Sequence, residues 1–334
     1  MRRKIKYCFV LAISIFILLT NVACNYADKE IIETDNTEIK YEKITIATGE
    51  SSGTYYPIGA AITAIITKYI SGIDAIAEPT SGSIESLKLL KNKEVDFILV
   101  ASNTAYASYK GEKPFHEPHE NLRAIANLYP EVFQFVVLKN SGMKNIYDLR
   151  GKRIAVGKVN SGTFRTAKEL LKYHGITFDD ITAKPLSFKE GLAALQKNEV
   201  DCVIIGSGMP TAAVVDISVM MDIDLLSIDK GVFSKEDNMK YLKLFTIKEG
   251  TYKGVDRDVV TVASSALLAT NSDVDENLVN ETLEALFKHV DEIEGAHPQG
   301  KNIKLENNIS GMPIPMHFGA IKYYNKFKII NGNE

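Results

Sequence analysis

The sequence has no tryptophan, only three cysteines among its 334 residues, and few glycines and prolines, 22 and 10 respectively. The scarcity of cysteine excludes a disulfide-stabilised scaffold, and the scarcity of glycine and proline excludes a collagen-like or low-complexity chain. Basic residues are a minority as well. Residues 1–23 hold four of the 39 basic residues and none of the 42 acidic ones, which leaves 35 against 42 and a net charge of −7 for the remainder. We therefore expect no nucleic-acid partner.

The amino terminus has the pattern of a secretory signal peptide, which we predict over residues 1–23. Four basic residues lie within the first six positions, and an uncharged stretch of 17 residues follows from Tyr7 to Ala23. This stretch is shorter than the roughly 20 residues of a permanent membrane-spanning helix, and an uncleaved anchor is the alternative interpretation. Cys24 follows Ala23 directly, which resembles a bacterial lipoprotein signal, although Asn21 stands where that pattern usually has leucine.

These features place the body of the protein outside the cytoplasm. We expect lipid attachment at Cys24 and anchoring at the bacterial cell membrane, or a periplasmic location if the signal is cleaved without lipidation. The polar residues 24–40 are predicted to be a flexible tether. Because Cys8 lies in the signal, Cys202 is alone in the body and has no disulfide partner. It begins the apolar run Cys202-Val-Ile-Ile, which predicts a buried side chain and not a nucleophile.

Two segments of the body repeat the order of strand, glycine-containing turn and helix. A strand at residues 43–47 is followed by Ser52-Gly53-Thr54 and a helix, and a strand at residues 153–156 is followed by Ser161-Gly162-Thr163 and a helix. The third residues of the two tripeptides are 109 positions apart. This repeat favours two lobes of similar construction, in agreement with the length, which at roughly 150 residues per domain allows two.

A second repeat supports the first. Leu90-Lys-Asn-Lys-Glu-Val-Asp96 and Leu195-Gln-Lys-Asn-Glu-Val-Asp201 each precede an apolar strand, and their aspartates are 105 positions apart. We predict an α/β fold of two lobes, each with a mixed, mostly parallel sheet flanked by helices and with a ligand cleft between them. The predicted boundaries are residues 41–135 for the first part of lobe 1, 136–258 for lobe 2 with the crossing strands, and 259–334 for the return to lobe 1, which includes a long helix at residues 278–294.

The turns that follow the strands are candidates for a binding site. In open parallel sheets, ligands bind beyond the carboxyl ends of the strands, where helix amino termini present free N–H groups. Glycine admits a ligand close to the backbone, and hydroxyls donate to an anion, although serine and threonine at these places can also simply cap their helices. Gln134, on the predicted crossing strand, can also point into the cleft. The candidate ligand-binding residues are Ser52, Gly53, Thr54, Tyr55, Ser83, Ser102, Gln134, Ser161, Gly162, Thr163 and Ser207.

Signatures of catalysis are scarce. The sequence contains no HExxH, GxSxG or phosphate-binding loop motif. His116 and His119 have a spacing found in metal sites, but Pro118 opposes the helix that would align them, so a solvated loop is favoured. We expect no cofactor, no metal and no enzymatic activity.

The chain resembles the TAXI family of extracytoplasmic solute receptors, the substrate-binding subunits of TRAP-type transporters. The resemblance covers residues 43–327 and is most specific in Thr54-Tyr-Tyr-Pro57 with the later Ser161-Gly-Thr163. The other matching segments are Ala47-Thr-Gly49, Thr80-Ser-Gly-Ser-Ile-Glu85, Val95-Asp-Phe97, Ala105-Tyr106, Pro130-Glu-Val-Phe-Gln134, Asp148-Leu-Arg-Gly-Lys152, Thr166-Ala167, Ala296-His-Pro298 and Pro313-Ile-Pro-Met-His317.

This resemblance implies a type II periplasmic-binding-protein fold that captures a solute by closure of two lobes. It also implies delivery of a small carboxylate or amino acid, of the glutamate, glutamine or 2-oxoglutarate type, to a TRAP-type membrane subunit. We expect the protein to be a monomer. The chain departs from the family at Glu50, where small residues are commoner, and a carboxylate at that place would oppose a dianion if it faced the cleft. Two alternatives remain: a receptor for an ABC importer or a signalling partner, and, less favoured, a surface hydrolase.

Overall fold

The computed structural model describes residues 42–233, 241–305 and 312–328. The predicted signal peptide, Cys24 and the tether of residues 24–40 lie outside these described residues. No helix within the described ranges is long and apolar enough to cross a membrane.

Ten strands within the described ranges hydrogen-bond into one sheet. They are β1 Glu42–Ala47, β2 Ile73–Glu78, β3 Phe97–Ala101, β4 Leu122–Leu138, β5 Arg153–Ala155, β6 Thr182–Lys184, β7 Cys202–Ser207, β8 Ile223–Leu225, β9 Lys243–Ile247 and β10 Val259–Asn271. The α-helices are α1 Tyr55–Tyr69, α2 Ser83–Lys91, α3 Ser102–Lys110, α4 Gly162–Tyr173, α5 Phe188–Gln196, α6 Ala212–Met220, α7 Lys230–Phe233, α8 Glu276–Lys288, α9 Val290–Ala296 and α10 Phe318–Asn325. Short 3-10 helices cover Lys139–Ser141, Ile146–Leu149, Phe178–Asp180 and Pro298–Asn302.

The order of strands across the sheet is β2-β1-β3-β10-β4-β7-β5-β6, with β9 beside β10 and β8 beside β4. Strand β1 is parallel to β2 and β3, and β5 is parallel to β6 and β7. Strands β4 and β10 are antiparallel to all their neighbours. The sheet is therefore mixed, with a parallel group at each end and an antiparallel pair in the middle.

Hydrophobic cores divide the molecule into two lobes. The cores of lobe 1 contain side chains from β1 to β3, the first part of β4, the second part of β10 and the helices α8 and α10. The cores of lobe 2 contain side chains from the rest of β4, from β5 and β7, and from the first part of β10. Along β4 the change occurs at Val132, which pairs with β10 on one side and with β7 on the other.

The two lobes thus share one sheet, where the sequence predicted a separate sheet for each. The physical reason is the length of β4, whose 17 residues extend about 55 Å at roughly 3.3 Å per residue. Such a strand can serve both cores without a break. The predicted lobe boundary at residues 135 and 136 lies within it.

The two sequence repeats fold alike. The carboxylate of Asp96 accepts a hydrogen bond from the N–H of Thr45 in β1, and that of Asp201 accepts one from the N–H of Arg153 in β5, both at 2.8 Å. The residues three positions before these aspartates, Lys93 and Asn198, share a left-handed backbone with φ of 59° and 57°. Matching residues therefore perform the same local task in each lobe.

The long helix predicted at residues 278–294 is wrong as a single helix. It is interrupted at His289, whose φ of −120° and ψ of 25° lie outside helical geometry and separate α8 from α9. The imidazole of His289 is stacked on the ring of Tyr69 from α1, with centroids 3.5 Å apart. As predicted, α8 packs on lobe 1, where Val279 and Leu283 are fully buried.

Candidate functional site

A small cavity lies between the lobes, with a free volume of about 30 Å³. At 10–15 Å³ for each water this is room for roughly two or three water molecules. The cavity is bordered by the turn after β1 and the start of α2 from lobe 1, and by the amino terminus of α4 and the end of β7 from lobe 2. Eight of the predicted ligand-binding residues line it: Gly53, Thr54, Tyr55, Ser83, Ser161, Gly162, Thr163 and Ser207.

Thr54 joins the two lobes across this cavity. Its backbone N–H donates to Oγ of Ser207 at 3.2 Å, and the two hydroxyl oxygens are 2.9 Å apart. The Thr54 hydroxyl also lies 3.3 Å from the carbonyl oxygen of Gly208. Thr54 precedes α1 but makes no capping hydrogen bond with its side chain. Its hydroxyl is thus engaged with the opposite lobe and not with its own helix.

The hydroxyl of Ser161, unlike that of Thr54, caps its own helix. Its Oγ accepts from the N–H of Phe164 at 3.0 Å and donates to the carbonyl of Lys158 at 2.7 Å. The next residue, Gly162, begins α4 and lies so close to lobe 1 that an added Cβ would be 2.9 Å from Oγ of Ser83. Glycine at this position therefore allows the two lobes to touch.

Glu131 is the most deeply buried charged residue of the cavity, and sequence reasoning missed it. It lies on β4 with 6% of its surface exposed, and its Oε2 accepts from the Tyr55 hydroxyl at 2.8 Å and from the Ser264 hydroxyl at 3.2 Å. Burial raises its pKa from the ordinary 4.5 to about 7, although the two hydroxyl donors lower it. A carboxylate within the mainly apolar second half of β4 was the available signal, since buried charges are rare without a partner or a role.

Glu50 is the second carboxylate of the cavity. Its two oxygens lie 3.0 and 3.2 Å from the backbone nitrogen of Phe188, the first residue of α5 in lobe 2. Burial raises the pKa of Glu50 to about 7, and the hydrogen bond from Phe188 and the positive charge of Lys158 lower it. The departure noted in the sequence therefore does face the cleft.

Three predicted residues lie outside the cavity lining. Ser52 borders a neighbouring surface groove of about 550 Å³. Ser102 is buried in lobe 1, where its Oγ accepts from the N–H of Ser265 at 3.0 Å. Gln134 is 1% exposed and bonds to Thr211 and Tyr252 in the interior of lobe 2. The last two side chains serve the packing of their own surroundings.

Arg165, in the first turn of α4, contacts both lobes away from the cavity. Its guanidinium pairs with Glu169 of its own helix at 2.8 Å and lies 3.4 Å from the carbonyl oxygen of Asn103 in lobe 1. The amide of Asn103 in turn donates to the hydroxyl of Thr166 at 2.8 Å. These contacts form a second bridge between the lobes.

Cys202, His116 and His119, which the sequence analysis singled out, do not line the cavity. Cys202 is fully buried, and burial raises the pKa of its thiol. His119 is buried and bonds to Asn271 at 2.8 Å, whereas His116 is exposed. No group of three or more histidine, cysteine, aspartate or glutamate side chains within the described ranges is arranged to hold a metal ion.

A model of the NMT1-like family matches residues 46–326 of the chain. This range covers most of the sequence, and the chain belongs to the NMT1-like family.

Solved structures share the fold. PhnD1 from Prochlorococcus marinus (MIT 9301), in complex with methylphosphonate, is 11% identical with a TM-score of 0.54, and the match covers 87% of this chain and 100% of that one. A protein from Bordetella bronchiseptica RB50 is 19% identical with a TM-score of 0.51, covering 79% and 78%. The periplasmic aliphatic sulphonate binding protein SsuA from Escherichia coli is 17% identical with a TM-score of 0.47, covering 85% and 78%. The predicted α/β periplasmic-binding-protein fold is confirmed.

Proposed function

We propose that the protein is an extracytoplasmic solute-binding receptor that captures a small molecule by closure of its two lobes. The observation that carries the proposal is the Thr54–Ser207 contact, in which turns from both lobes meet at a polar cavity. A ligand that touches both lobes stabilises the closed arrangement relative to the open one. The fold shared with PhnD1, whose structure contains methylphosphonate, supports this proposal.

In its finer form, the receptor serves a TRAP-type transporter and delivers a small carboxylate or amino acid to the membrane subunit as a monomer. Support comes from the resemblance of the turn sequences to TAXI receptors. A free volume of about 30 Å³ is too small for such a solute, so binding would hold the lobes slightly further apart than they lie here. Lipid attachment at Cys24 would keep the receptor at the membrane.

A receptor for an ABC importer is the alternative. The energy source of the transporter distinguishes the TRAP-type assignment from the ABC assignment. Reconstitution with a membrane subunit that uses an ion gradient supports the TRAP-type assignment, and dependence of uptake on ATP hydrolysis supports the ABC assignment.

The geometry supports binding over hydrolysis. The Ser161 hydroxyl bonds only to backbone atoms among the described residues, and no histidine lines the cavity. A nucleophilic serine needs a base within hydrogen-bond reach, which Ser161 does not have within that part of the chain.

The decisive experiment is mass spectrometry of small molecules released from gently purified protein, followed by melting curves with the molecules identified. A bound solute adds about 2.7 kcal/mol of stability at a concentration 100 times its dissociation constant, a shift that a melting curve resolves. Absence of any released solute, together with unchanged melting across a panel of carboxylates and amino acids, would contradict the proposal.

A further inference from the structure

Two carboxylates and no basic side chain line the described part of the cavity between the lobes, and Lys158, whose charge lowers the pKa of Glu50, lies outside this lining. The two carboxylates are those of Glu50 and Glu131. The other polar groups are hydroxyls and backbone amides. Like charges repel strongly in a poorly hydrated site, so this lining disfavours a solute that brings further carboxylates to the same place.

Glu131 is held rigidly by three elements. It stands on β4, while Tyr55 from α1 and Ser264 from β10 donate to the same oxygen, Oε2. Among the described residues no donor reaches the other oxygen, Oε1, although the residue is more than nine-tenths buried. Oε1 is not among the fully buried, unpartnered side-chain atoms of the described residues, and Glu131 lines the cavity, so this oxygen offers an acceptor to a donor brought by the solute.

We propose that the solute carries a protonated amine and that Glu131 is its counter-ion. This inference rests on the proposed receptor function and names the chemical class of the ligand. An ammonium group is positively charged and has three N–H donors, one of which can donate a charge-assisted hydrogen bond to Oε1 of Glu131. Because the described residues contain no metal-binding cluster, an organic ammonium fits the site better than a metal ion.

The opposite wall suits the carboxylate of an amino acid. The N–H groups of Gly162 and Thr163 lie in the first turn of α4, where helix geometry leaves them without an intrahelical acceptor. A helix amino terminus carries a partial positive charge that favours an anion. A zwitterion would place its two charges on complementary walls, whereas a dicarboxylate would bring one anionic end to Glu131.

The burial of Glu131 is consistent with this role. Desolvation raises its pKa to about 7, so the carboxylate is costly to ionise when no cation accompanies it. An ammonium next to Oε1 would favour the ionised form and lower that pKa.

The test compares acids that differ only at one group. The full-length protein, purified in mild detergent and dialysed free of solute, is titrated by calorimetry with L-glutamate and 2-oxoglutarate, with L-alanine and pyruvate, and with other L-amino acids and their 2-oxo acids. We expect at least one amino acid to bind at least tenfold more tightly than its 2-oxo counterpart. Equal or tighter binding of the 2-oxo acid overturns the inference but leaves the receptor function intact. If no member of the panel binds, the ammonium inference falls, and a non-amine solute released from purified protein decides separately whether the receptor function survives.

Glu131→Gln adds a second measurement. The glutamine oxygen still accepts from Tyr55 and Ser264, so packing is retained while the charge is lost. We expect a loss of at least tenfold in affinity for the amino acid, with affinity for the 2-oxo acid unchanged or increased. Glu249→Gln, which alters an exposed carboxylate, is the matched control and should change neither value. An equal loss for both ligand types would indicate a structural role for Glu131 and contradict the proposal.

Discussion

Glu50 accepts a hydrogen bond from the backbone N–H of Phe188, at 3.0 Å, across 138 residues of sequence and from one lobe to the other. Phe188 begins α5, and its N–H has no acceptor within the helix. A side chain from lobe 1 therefore caps a helix of lobe 2. The bond can exist only while the lobes are closed, so it reports on closure directly.

We predict that Glu50→Ala exposes the Phe188 amide to solvent and speeds its hydrogen exchange by about tenfold, since a lost hydrogen bond is worth about 1 kcal/mol or more. Glu50→Gln keeps an acceptor oxygen and should retain most of the protection. Exchange is measured by mass spectrometry on peptides that span residues 186–195. Glu249→Ala is the control on an exposed carboxylate. Equal protection in Glu50→Ala and the wild type would show that the bond does not hold the lobes together.

The contact between Thr54 and Ser207 should contribute to solute binding, and replacing either residue by alanine leaves the charge of the cavity unchanged. We predict that Thr54→Ala and Ser207→Ala each weaken the affinity for the solute that co-purifies by about fivefold, the equivalent of about 1 kcal/mol. Because the two hydroxyls bond to each other, the double variant should lose less than the sum of the single losses. Calorimetry on the four proteins gives the coupling, with Ser71→Ala on the surface as control. Strict additivity would contradict a direct contribution of this pair.

Gly162→Ala should block closure by steric conflict. The added methyl group would lie 2.9 Å from Oγ of Ser83 and 3.2 Å from Oγ1 of Thr104, both in lobe 1. We expect solute affinity to fall by more than tenfold and the radius of gyration with solute to stay near the open value, as measured by small-angle X-ray scattering. Gly295→Ala, with no atom within 4 Å of the added Cβ, is the matched control. A variant that binds and closes like the wild type would show that lobe 1 yields at this point.

The contribution of Glu50 and Glu131 to stability without solute should fall as the pH rises from about 4.5 to about 7. Glu50 and Glu131 have pKa values near 7 in the folded protein against an ordinary 4.5, so the folded state binds more protons than the unfolded state within this window. The stabilisation is complete below pH 4.5 and lost by pH 7, and for Glu131 it is on the order of 3 kcal/mol.

Urea unfolding at pH 5 and pH 7.5 measures this loss. Glu131→Gln should reduce the difference between the two pH values, because the titrating group is absent. Burial lowers the pKa of His119, His297 and His317, so these histidines add stability as the pH rises through the same range and oppose the effect of the two glutamates. The comparison is therefore made between the wild type and Glu131→Gln, in which the histidines are unchanged. An equal change in unfolding free energy between pH 5 and pH 7.5 in the wild type and in Glu131→Gln would contradict the assignment.

Local patterns in the sequence predicted much of the fold. The two Ser-Gly-Thr turns, the paired aspartates and the crossing strands depend on short-range periodicity and glycine placement, which sequence shows directly. The break at His289 could not be predicted in this way, because residues 278–294 keep a helical spacing of apolar side chains throughout. At the break, His289 stacks on Tyr69 from a distant part of the chain.

The site was harder to predict for a geometric reason. Glu131 and Gln134 lie an odd number of positions apart on β4, so their side chains point to opposite faces of the sheet. Only the assembled sheet decides which face meets the cavity; Glu131 faces it, and Gln134 bonds to Thr211. Likewise, the tripeptides look equivalent in sequence, but Ser161 caps its own helix whereas Thr54 contacts the other lobe.

The continuity of β4 and β10 through both lobes has a consequence for how the protein folds. Although the segments that end in Asp96 and Asp201 fold alike in the two lobes, neither lobe contains all of its strands in full, because β4 and β10 are shared. Expressed alone, either one would end in a severed strand whose unpaired N–H and C=O groups invite association with other chains. We therefore expect the two lobes to be inseparable as folding units: the protein folds as a whole, and its opening must bend two strands that remain unbroken.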